Sequence, residues 1–190
     1  MGLFSERYGY TKPSDVIIRE KITPEIQNAI LSCYDRFREN VQDESIYNWV
    51  YSHMENYLWT QFLNERKASF NWKKPVICEY LNNTSNAWYK KLDIVEFSIK
   101  YLYMHIEKSE NQYLYNAVEA LINRLNYEFK RLNFAYRIIN KEIAEITSKE
   151  EIVAIEEALN SSKNNIRIHL NKALELYAQK PTGDHRNSIK

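Results

Sequence analysis

Apolar residues recur along this chain at steps of three and four, interrupted by a few polar stretches. Ile26, Ile30, Cys33, Phe37 and Val41 form the first such stripe, which predicts a helix with one buried face. Thr23 stands ahead of it as N-cap, with Pro24 at the first helical position and Glu25 in the first turn. "VIIRE", just upstream, reads as a short strand or an extended lead-in. A second helix is expected over "DESIYNWVYSHMENYLWTQFLN", where Ile46, Trp49, Val50, Tyr57, Leu58 and Phe62 make a broad apolar face. "ERKASFNWKKPVICEYLNNTSN" is irregular, with a short helix after Pro75 and an Asn/Ser-rich turn after Leu81.

The longest periodic signals follow. Trp88, Leu92, Val95, Ile99, Leu102 and Ile106 make one stripe, and Leu114, Val118, Leu121, Leu125 and Leu132 resume the pattern after the polar break "KSENQ". Two long helices joined so briefly are expected to pack antiparallel. The period then changes. "AYRIINKEIAEI" carries β-branched residues on both sides of Asn140-Lys141, which suits a two-residue hairpin turn because Asn tolerates positive φ. Beyond it, "TSKEEIVAIEEAL" opens a helix with Ser148 and Glu151 at capping-box spacing. After the linker "NSSKNN" comes a last stripe of Ile166, Leu170, Ala173, Leu174 and Tyr177. "PTGD" then turns the chain, and "HRNSIK" begins what should be another helix. The expected fold is mainly α: a helical bundle built on a long antiparallel helix pair, with one small β-hairpin near 136–146.

Composition narrows the function. A chain of 190 residues is long enough for one well-buried core, or one domain with an appended piece. Lys and Arg number 26 against 25 Asp and Glu, a net charge of +1 that creates no global pull toward nucleic acid or an anionic membrane. No apolar run reaches the ~18 residues that a spanning helix needs, and "MGLFSERYGY" lacks the apolar core of a signal peptide. Glu6 stands where a myristoylation signal wants Ser or Thr. A cytoplasmic location is expected, with no membrane partner. Cys33 and Cys78 form no spaced motif and fit reduced thiols. With only Gly2, Gly9 and Gly183, the chain cannot build a glycine-rich phosphate loop. Fifteen tyrosines suggest wide amphipathic helix interfaces or an exposed partner surface.

Candidate chemistry is sparse. His53, His105, His169 and His185 show no metal-ligand spacing among themselves or with the cysteines. No Gly-x-Ser-x-Gly elbow is present, and "SKEEIVAIEEAL" reads as a solvated acidic face. No catalytic residue, metal site or cofactor is expected. The best local match to a nucleic-acid surface is "NRLNYEFKRLNFAYR". It interleaves Arg124, Lys130, Arg131 and Arg137 with Tyr127, Phe129, Phe134 and Tyr136, offering cations for phosphate and rings for bases. The alternative is an amphipathic helix that buries its rings and shows its charges to water; Glu128 and the neutral overall balance favour it.

The two ends of the chain carry a family resemblance. "LFSERYGYTKPSDVIIREKITPEIQNAI" and "EFKRLNFAYRIINKEIAEITSKEEIVAIEEAL…IRIHLNKALELYAQKPTGDHRNSIK" resemble the N-terminal region of AbiJ-type abortive-infection proteins, in the fourth class of AbiJ N-terminal domain. The resemblance implies a bacterial phage-defence factor with a sensing or regulatory N-terminal domain. It also implies a HEPN-type helical domain beyond it that cleaves RNA through an Arg-x(4–6)-His motif. On this reading residues 1–164 are the sensor or regulatory domain, and 165–190 begin a truncated HEPN-type domain. None of the four histidines has Arg at that spacing; Arg167 is too close to His169. The chain is therefore expected to be non-enzymatic and to regulate a ribonuclease by protein contact. The alternative is an RNA-binding or degenerate RNA-processing domain. Partners implied are its own C-terminal domain or a nuclease partner, a phage-derived trigger, a second copy of itself, and RNA on the alternative reading. "FSERYGY" supplies the candidate interaction or packing residues Phe4, Arg7, Tyr8 and Tyr10, with the rings expected to dock onto the helical core.

Overall fold

The structure is a computed structural model and describes Phe4, Tyr8 and residues 17–43, 48–109 and 111–146. Two compact units divide the chain, Met1–Ile143 and Ala144–Lys190. Among the described residues the first holds five α-helices: α1 (Pro24–Asp43), α2 (Asn48–Tyr57), α3 (Val76–Asn82), α4 (Trp88–Ser109) and α5 (Gln112–Arg131). A two-stranded sheet follows, β1 (Tyr136–Ile139) paired with β2 (Glu142–Glu145). The mainly helical class and the hairpin are as expected. The helices expected after residue 147 and the boundary at 164 lie outside the described residues.

Local chemistry explains the element ends. Thr23 caps α1, its Oγ1 accepting the Ile26 N–H at 3.4 Å. Asn111 caps α5 through the Leu114 N–H at 2.9 Å. Asn140 and Lys141 both adopt positive φ, 50° and 70°, the geometry of a type I′ hairpin turn. The second helix departs from a regular α-helix. After Tyr57 it relaxes into one π-turn over Leu58–Phe62, closed by the Leu63 N–H on the Leu58 carbonyl at 3.0 Å.

Side-chain pairs give the helix directions. Tyr103 donates to Glu119 across the α4–α5 connection, at equal distance from the turn on each side, so these two helices run antiparallel as expected. Yet α5 packs most extensively on α1 rather than on its sequence neighbour. Tyr113 near the start of α5 reaches the Asn40 carbonyl near the end of α1 at 2.7 Å, and Cys33 lies near Arg124 and Glu128. These helices are antiparallel too. Tyr34 meets Ser98, and Lys91 donates to Gln27 at 3.0 Å, so α1 runs parallel to α4 and the three helices share one core.

The stripe Ile26, Ile30, Cys33, Phe37 and Val41 is wholly buried, as are Leu114, Val118, Leu121 and Leu125 of α5. The lead-in "VIIRE" is tied down by a parallel bridge between Ile18 and Phe134, with N–H···O distances of 2.8 and 3.0 Å. Asn126 holds β1 to α5 by accepting from the Ile138 N–H at 2.7 Å and donating to its carbonyl at 2.9 Å. On the other side Glu96 of α4 accepts the Ile143 N–H at 2.7 Å. Covered in this way, all four residues of β1 are buried. No helix among the described residues is long and apolar enough to cross a membrane.

Candidate functional site

The stripe of α2 contains an interruption that periodicity passes over. Val50, Tyr51, Met54 and Leu58 are buried, and so is Glu55, only 4% exposed. Trp49, expected on the apolar face, lies instead at its rim. One Glu55 oxygen, Oε2, accepts the N–H of Val76, the first residue of α3. Glu55 therefore caps a helix that lacks a side-chain cap of its own. The other oxygen, Oε1, is buried without a hydrogen-bond partner among the described residues. Burial pushes the Glu55 carboxyl up to about 7, and the Val76 and Ile77 N–H groups, Tyr51 and Arg38 offset only part of that rise.

Glu55 lines a cleft of about 350 Å³ whose walls include Arg38, Tyr51, Trp72, Lys73 and Lys74. Trp72 reaches it from the segment between the π-turn and α3. The residue is 63% exposed, and its ring meets Phe70 edge to face at 4.9 Å. Phe70 in turn rests on Trp59 at 6.4 Å, and the Trp59 indole N–H is anchored on the Arg66 carbonyl at 3.0 Å. Asn71 closes the turn that carries the two lysines, accepting the Lys73 N–H at 3.0 Å on its side chain and the Lys74 N–H at 3.0 Å on its carbonyl. The Arg38 guanidinium sits 5.5 Å from the centre of the Tyr51 ring. Three cations, an aromatic ring and a buried carboxylate thus line one cleft.

The other candidates are distributed differently. Phe4 and Tyr8 do not dock onto the core. They are 62% and 66% exposed, and their rings meet each other at 4.6 Å. This corrects the packing expectation for those two rings: tilted against each other, they remain open to solvent. Arg7 and Tyr10 lie outside the described residues.

The α5 patch also separates. Arg124, Tyr127, Lys130 and Arg131 share an exposed face, but Arg131 pairs with Glu128 at 2.7 Å. Arg137 is not a surface cation. It is 3% exposed and donates to the Phe134 and Tyr136 carbonyls at 2.7 and 2.8 Å. Phe129, Phe134 and Tyr136, the supposed base-stacking rings, are buried beside it. The cause is β1, which turns the chain back under α5 and carries Arg137 inside with it.

His53 and His105 come together around Trp49, each ring 4.9 Å from the indole. Burial and the neighbouring His53 hold the His105 imidazole below its ordinary range. No group of three His, Cys, Asp or Glu able to hold a metal exists among the described residues. Burial raises the Cys33 thiol to about 11, which makes it a poor nucleophile.

The sequence had offered Glu55 no prominence. The signal available was a carboxylate on the buried side of an amphipathic helix, next to Met54 and four residues after Tyr51.

The chain matches the AbiJ N-terminal domain 4 family over residues 2–161. It belongs to that family, and membership associates it with abortive-infection systems. No match was found to a curated protein or to a solved structure.

Proposed function

We propose that this chain is a sensor or regulatory module of a bacterial phage-defence system, non-enzymatic in itself, which controls a HEPN-type ribonuclease domain by protein contact. Family membership over residues 2–161 is the observation that carries this reading. A trigger that binds one arrangement of module and nuclease more tightly than the other shifts the population toward the active state. The exposed pair of Phe4 and Tyr8 supports a contact role for the opening segment, since paired solvent-exposed rings suit a partner surface.

The reading is tested in cells challenged with phage, comparing the intact gene with a Phe4→Ser/Tyr8→Ser variant. Plaque reduction should be lost while protein level and thermal unfolding stay unchanged. Full protection by the folded variant would remove this surface from the mechanism. RNA cleavage by the purified chain alone would overturn the non-enzymatic assignment.

A further inference from the structure

Each wall of the Glu55 cleft supplies a different recognition chemistry. Arg38, Lys73 and Lys74 contribute cations to its lining. Lys74 is paired with Glu79, but at 3.7 Å between two largely exposed side chains, a contact that water screens and an incoming anion can replace. Trp72 is largely exposed, with the Phe70 ring packed against it edge to face. Glu55, 96% removed from solvent, contributes an acceptor oxygen that no described residue satisfies.

A ligand must answer all three. Inorganic phosphate would use the cations and leave the ring and the acceptor idle. An acidic peptide would use the cations and could donate a backbone N–H to Oε1, but its carboxylates leave the Trp72 ring without a planar partner. A cationic ligand would be repelled by the lining cations. A planar heterocycle with ring or exocyclic N–H groups, joined to a phosphate, meets every requirement: stacking on Trp72, donation to Glu55, and charge neutralisation by Arg38 and the two lysines. The cleft volume of about 350 Å³ lies at the lower end of the range for small-molecule pockets.

We infer that the Glu55 cleft is a binding site for a nucleoside phosphate, with the base on Trp72 and Glu55 and the phosphate on Arg38, Lys73 and Lys74. The phosphate can belong to a free nucleotide or to the end of an RNA strand. For the strand there is a continuation, because Trp72 also borders a neighbouring depression lined by His53, Lys67 and Tyr101. The inference goes beyond the regulatory reading and stands without it, since binding is measured on the purified chain.

The experiment is calorimetric titration of the purified chain with the four ribonucleoside triphosphates, a short 5′-phosphorylated oligoribonucleotide and inorganic phosphate. At least one base-containing probe should bind. Trp72→Ala, which alters an exposed ring, should weaken that probe about tenfold or more, and Lys73→Ala should weaken it with a reduced salt dependence. Glu55→Gln keeps an acceptor for Val76 and should change the preference among bases. Binding of a triphosphate identifies a free nucleotide, and binding of the oligonucleotide alone identifies a strand end. No binding by any base-containing probe overturns the inference. So does binding that Trp72→Ala leaves unchanged, or binding of inorganic phosphate as tight as that of the nucleotides.

Discussion

The seam between α1 and α5 and the corner between α2 and α3 are built on opposite principles. Along the seam, Ile26, Ile30, Phe37 and Val41 share an apolar core with Val118, Leu121 and Leu125, and the gain comes from apolar area removed from water. At the corner, a carboxylate is carried into the same core to cap a helix of only seven residues. Burial costs an ionised Glu far more than one peptide hydrogen bond returns. Packing sets the cost of a change at the seam, and desolvation of a charge sets it at the corner. The seam is built by packing, and the corner retains a costly group, one oxygen of which has no hydrogen-bond partner among the described residues.

The largest effect should come from breaking the seam. Phe37→Ala empties a site that is almost fully buried and should cost about 3–5 kcal/mol in urea unfolding. A cost below about 1 kcal/mol would show that α1 and α5 do not carry the core.

The corner should answer to pH instead. In the unfolded chain Glu55 titrates near 4.5, and in the folded chain near 7. Below 4.5 both states hold the proton and the group costs nothing. Between 4.5 and 7 the unfolded state releases its proton first, so stability falls as pH rises. The loss should approach about 3 kcal/mol above pH 7. Glu55→Gln should flatten this dependence and make the protein more stable than the parent at pH 8. Parallel pH profiles for the two proteins would refute the assignment.

A finer contrast sets Arg137 against its neighbours in the sequence. Arg137→Met strips two carbonyls of a buried donor and should cost about 1–3 kcal/mol. Lys130→Ala/Arg131→Ala removes exposed charges, one of them in a surface pair, and should cost less than about 1 kcal/mol. Equal costs in thermal or urea unfolding would mean that Arg137 is not the internal strut described.

Much of the fold was legible because helix periodicity is a local property. The α1 stripe, the Thr23 cap, the short helix after Pro75, the α4–α5 pair and the Asn140-Lys141 turn all follow from residues close together in the chain. The π-turn after Tyr57 was not legible, since it answers to packing against α4 and α3. The candidate sites were less legible than the fold. Arg124 and Arg137 look alike in sequence, yet one is exposed on a helix and the other is enclosed by a strand return. Phe4 and Tyr8 looked like core residues because they are aromatic, and side-chain type alone does not specify a receiving surface.

The helical class, the positions of the helices among the described residues, the hairpin turn and the family were therefore readable from the chain alone. Those follow from spacing, capping and turn chemistry within a few residues. Tertiary contacts alone settle that α5 rests chiefly on α1, that Arg137 lies inside, and that Glu55 is buried in a cleft that Trp72 and three cations also line. Each of those depends on residues tens of positions apart meeting in space, and burial sets the energy of a charge only after the fold has formed.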